Sequence, residues 1–73
     1  MKTWKVLDIN HCGIWLICIY DSMAYGNGKN PYTLYRKFYS GNSYHRKKLY
    51  SFRTLYETID FINDRAKNNA WSH

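Results

Sequence analysis

The chain has 73 residues, 45% of them hydrophobic and 19% aromatic, with a net charge of +6. That length holds one domain and no second, and the share of large apolar groups excludes a disordered chain. Eleven Lys and Arg against five Asp and Glu predict attraction to polyanions such as nucleic acid, an anionic membrane surface or an acidic protein patch.

Residues 4–9, Trp-Lys-Val-Leu-Asp-Ile, are rich in β-formers and read as a first strand. Asn10-His11-Cys12-Gly13 supplies a tight turn. Ile14 to Tyr20 is a continuous apolar run of β-branched and aromatic residues, too short for an ordinary helix, and reads as a central strand covered on both faces. The same run is far short of the roughly 20 residues that a membrane span needs. Met1 to Lys5 lacks the apolar stretch of a signal peptide. Cys12 and Cys18 lie too close within one hairpin to form a disulfide framework, so a reducing cytoplasm is the expected setting.

Asp21 to Pro31, with Gly26-Asn27-Gly28 and Asn30-Pro31, reads as a loop. Residues 32–39 form a third strand whose more apolar parity places Leu34 and Phe38 inward. Ser40-Gly41-Asn42-Ser43 is a turn, and Tyr44 to Phe52 a fourth strand paired with the third. Thr54 and Glu57 have the spacing of a capping box, in which each side chain satisfies a backbone N–H of the other. A helix follows, with Leu55, Ile59, Ile62 and Ala66 as its apolar stripe, widened by Tyr56 and Phe61. Asn68-Asn69 ends it. The predicted fold is α+β, a four-stranded antiparallel meander packed on one C-terminal helix, ββββα, over residues 1–73.

Charge is segregated along this chain. Between Lys29 and Arg53 lie seven of the eleven cations and no Asp or Glu. Alternation along a strand puts Tyr35, Lys37 and Tyr39 on one side. The neighbouring strand adds either His45 and Lys47 or Arg46 and Lys48, depending on register. The candidate binding residues are therefore Tyr35, Arg36, Lys37, Tyr39, Tyr44, His45, Arg46, Lys47, Lys48 and Arg53. Cations there would neutralise phosphates and tyrosine rings would stack on bases. The bland alternative is a solvated sheet face, where tyrosine and lysine are ordinary. A basic strand leading into a helix, over Tyr32 to Ala66, resembles the arm-type DNA-binding modules of tyrosine recombinases. The likeness covers about half the chain and rests on element order, which implies a fold and no function.

Catalytic and metal chemistry find little footing. Asp8, His11 and Cys12 could be drawn as orienter, base and nucleophile, but they sit at a tight turn. Cys12, Cys18, His11 and His45 lack the spacing of a zinc site. Asp60 and Asp64, one helical turn apart, read as a solvated helix face. The expectation is a protein that is not an enzyme and uses no cofactor, a small nucleic-acid-binding accessory or regulatory protein. The alternative is an inhibitor or adaptor of a larger nucleoprotein complex, of the kind encoded by mobile elements or by phages against CRISPR-type defence. Trp4, Tyr25 and Trp71 would then be interface anchors, and an open sheet edge is compatible with a homodimer.

Overall fold

The structure, a computed structural model, describes residues 2–11 and 13–67. Cys12, the Asn68-Asn69 helix end and Trp71 lie outside the described residues. Four strands, β1 (Thr3–His11), β2 (Ile14–Asp21), β3 (Tyr32–Ser40) and β4 (Ser43–Phe52), form one antiparallel sheet in the order β1-β2-β3-β4. A short helix, α1 (Ser22–Gly26), bridges β2 and β3, and a longer one, α2 (Leu55–Lys67), follows β4. This is the α+β meander with a C-terminal helix that the sequence predicts.

Helix α2 packs on one face of the sheet. Beneath it Leu16, Cys18 and Leu34 are fully buried and join Phe52 and Ile62 in the core. Val6, Leu7, Ile9, Ile14, Tyr32, Leu49 and Phe61 pack around them, partly buried. Two irregularities make this face continuous. In β1 the register shifts at Val6, so Leu7 pairs with Cys18 on the helix side although Lys5 pairs with Ile19 on the other. In β4 it shifts at Leu49, so Tyr50 and Phe52 point to the helix although Lys48 points away. An extra residue in one strand reverses the side on which the following residues project, which is what a bulge does. Without the one at Leu49, Phe52 would be turned out of the core.

The capping box forms as read. Glu57 N–H donates to Thr54 Oγ1 at 3.2 Å, while Glu57 Oε2 accepts from Thr54 N–H and Arg53 N–H, each at 3.1 Å. The buried stripe of α2 differs from the expected one at three positions: Thr58 is fully buried, while Ile59 is 40% and Tyr56 83% exposed. Thr58 carries its own polar partner inward, its hydroxyl donating to the Thr54 carbonyl at 3.2 Å, so its burial leaves no donor unsatisfied.

Other expectations are corrected. The Asp21–Pro31 segment is not all loop, because the Asp21 carboxylate accepts from Met23 N–H at 2.9 Å and Ala24 N–H at 3.3 Å and nucleates α1. Strand β1 runs on through Asn10 and His11, shortening the turn. Phe38 lies on the helix side but is 39% exposed, because it sits beyond the buried core cluster. Strand β2 is central but not layered on both faces: among the described residues no second layer covers the side away from α2. Ile17 is nevertheless only 7% exposed, flanked there by Asp8 and Tyr35 from the adjacent strands. No described helix is long and apolar enough to cross a membrane.

Candidate functional site

The register of β3 against β4 decides which candidate residues meet. Ser40 pairs with Ser43 across a two-residue loop in which Gly41 adopts φ +64°, a left-handed conformation that a side chain at Cβ would strain. Counting back from that loop, Tyr39 pairs with Tyr44, Lys37 with Arg46 and Tyr35 with Lys48. These six residues share the face that α2 leaves open. Arg36 pairs with Lys47, and Phe38 with His45, on the helix side. Arg53 stands in the β4–α2 connection, at the far end of β4 from the loop, and is not brought to the group.

On the open face the cations and rings are organised by two residues from outside the basic segment, Asp8 and Trp15. The indole N–H of Trp15 donates to Asp8 Oδ1, and Lys5 Nζ reaches Asp8 Oδ2 at 2.9 Å. The Lys37 ammonium lies 3.8 Å from the Trp15 ring centroid, 4.9 Å from that of Tyr44 and 4.0 Å from Asp8 Oδ2. Lys37 is thus held between two ring faces and a carboxylate, with 12% of its side chain exposed. The hydrogen bonds from Lys5 and Trp15, aided by the positive charges of Lys37 and Lys5, hold the Asp8 carboxyl below its ordinary value despite some desolvation. Arg46 stacks its guanidinium 4.5 Å above Tyr35. Tyr44 meets Trp15 and Tyr39 edge-on, at 5.8 and 5.0 Å between centroids.

The outermost part of the hairpin is bare. Strand β2 pairs with β3 only as far as Lys37, and beyond it β3 pairs with β4 alone. Every residue from Phe38 to Lys48 is exposed, Tyr39 to 66%. That run holds Arg46, Lys47 and Lys48 and no carboxylate.

Of the drawn catalytic grouping, Asp8 and His11 lie on opposite faces of the sheet, and Cys12 is outside the described residues. Asp8 pairs with Ile17 on the open face, whereas His11 pairs with Ile14 on the helix side. Cys18 is a free thiol buried against Thr58; burial pushes it up to about 11, with the Thr58 hydrogen bond pulling the other way. Among the described residues no three His, Cys, Asp or Glu gather as a metal site requires. A shallow groove between β4 and α2 is lined by Tyr50, Arg53, Glu57, Asp60 and Phe61, but Glu57 is already engaged in the cap.

The sequence places Asp8 only in a drawn catalytic grouping and does not single out Trp15, so neither is expected on the binding face. Pairing β1 with β2 about their turn would have found them, since it sets Asn10 beside Trp15 and, two pairs further in on the same face, Asp8 beside Ile17. No protein-family model, curated protein or solved structure matches the chain.

Proposed function

We propose that the protein is a non-catalytic nucleic-acid-binding accessory protein of the cytoplasm, docking through the β3–β4 hairpin. The observation that carries this reading is the exposed, carboxylate-free run from Phe38 to Lys48, with its three consecutive cations. Lysine and arginine so placed displace condensed counterions from a phosphate backbone, which drives association and makes it salt-dependent. Three groups capable of covalent chemistry are already engaged: Asp8 by Lys5 and Trp15, Glu57 in the helix cap, and Cys18 in the core.

The test is binding of labelled oligonucleotides across a salt series. With about three phosphates neutralised, affinity falls roughly 40-fold between about 50 and about 200 mM salt. Replacing Arg46, Lys47 and Lys48 together by Glu abolishes binding; undiminished affinity in that variant removes the reading.

A second reading draws on the outer face of α2, where Tyr56 and Ile59 stand exposed one turn apart, to 83% and 40%. Such a pair suits a protein partner, making the chain an inhibitor or adaptor of a nucleoprotein complex, as mobile elements and phages encode against host defence. Affinity capture with nuclease separates the two. One stoichiometric protein retained after nuclease treatment favours the second reading, and loss of all captured material favours the first.

A further inference from the structure

Resting on the nucleic-acid reading, we infer that the preferred partner is duplex DNA, entered tip-first by the β3–β4 hairpin through its major groove. Three features of the hairpin point there.

First, the open face is a poor platform for stacking single-stranded bases. The Trp15 ring is capped by Lys37 and the Tyr35 ring by Arg46, while Tyr44 is held edge-on between Trp15 and Tyr39. A base would have to displace a cation to reach Trp15 or Tyr35. Second, the cations lie on both sides of the ribbon. Arg46 and Lys48 share the open face, whereas Lys47 pairs with Arg36 on the other. A partner lying flat on one side would leave half of them unused; one that straddles the ribbon, with a phosphate strand on either flank, meets them all. Third, the dimensions agree. Three residue pairs, Phe38 with His45, Tyr39 with Tyr44 and Ser40 with Ser43, extend beyond the last pairing with β2. At about 3.4 Å per residue that is roughly 10 Å of free ribbon. The major groove of B-DNA is about 12 Å wide and about 8.5 Å deep, and it admits a two-stranded ribbon. The tip, Ser40-Gly41-Asn42-Ser43, is small and polar, as a groove floor lined with donors and acceptors requires. A-form RNA closes that groove to side chains.

Adjacent residues on opposite faces make the test. Binding is measured for one sequence as duplex DNA, duplex RNA and single strands, with the wild type and with Lys47→Glu, Lys48→Glu and Lys29→Glu. Lys29 precedes β3 at the end remote from the tip, so its reversal controls for net charge. Duplex DNA is expected to bind about tenfold or more tightly than the other forms, and Lys47→Glu and Lys48→Glu each to weaken it by about tenfold, well beyond Lys29→Glu. A thermal melt of each variant separates lost binding from lost fold. Equal binding of duplex RNA or single strands, or an effect of Lys48→Glu without one of Lys47→Glu, overturns the groove geometry and leaves the nucleic-acid reading standing. Binding of none of the four forms overturns the nucleic-acid reading itself.

Discussion

Asp8 organises the open face although the binding segment contains no carboxylate. Its oxygens take Lys5 and the Trp15 indole, and Lys37 approaches at 4.0 Å. The carboxyl is held below its ordinary 3.8, chiefly by the hydrogen bonds from Lys5 and Trp15. A carboxyl depressed in the folded state contributes stability that is present above its unfolded value and is lost as pH falls through the acid range. Asp8→Asn is therefore expected to show a shallower loss of stability below about pH 4 than the wild type, read from urea midpoints between about pH 7 and about pH 2. Superimposable acid limbs would mean that Asp8 contributes nothing through its charge. At neutral pH the same change frees Lys5 and Lys37 from their counter-charge. Polyanion affinity should then rise, whereas neutralising a binding cation would lower it.

Among the elements, α2 depends most visibly on local sequence. Thr54 and Glu57 satisfy three backbone N–H groups between them. Thr54→Ala removes the hydroxyl that serves Glu57 N–H while keeping the carbonyl that Thr58 uses, and should cost about 1 kcal/mol in a denaturant melt. A cost near zero would show that tertiary packing alone holds the helix start. This box was legible because its three-residue spacing is local, as was the hairpin loop at Gly41. Thr58 was not legible as a core residue. Its place in the stripe depends on Cys18, forty residues earlier in the chain, and on a hydroxyl that bonds back to Thr54. Helix α1 escaped for a like reason: it is held partly by Asp21 and partly by Ser22 N–H donating to the Lys2 carbonyl at 2.9 Å. The binding face was half legible. Alternation grouped Tyr35, Lys37 and Tyr39, but choosing Arg46 and Lys48 over His45 and Lys47 required the loop length, and the bulge at Leu49 that returns Phe52 to the core has no local signature.

At the scale of the whole molecule, the Cα atoms fill a slab of 35 × 31 × 16 Å, a sheet backed by α2 whose β1 and β4 edges pair with no further strand among the described residues. An open edge offers unpaired N–H and C=O groups to a second copy. Each edge here carries a device against that. Strand β1 is interrupted by its bulge at Val6, and β4 displays Arg46, Lys47 and Lys48 in succession. Antiparallel pairing of two β4 edges would bring six cations together, a like-charge arrangement that disfavours pairing. The proposed binding residues would thus also keep copies apart, and the two roles separate by charge sign. Replacing the three by Thr retains β-propensity and removes the repulsion. That variant should lose nucleic-acid binding and begin to self-associate in sedimentation velocity. The three-fold Glu variant should lose binding and stay monomeric, because like charges still face each other across the edge. If the Thr variant also stays monomeric at every concentration, repulsion is not what protects β4, and the twist imposed by the Leu49 bulge becomes the remaining physical cause.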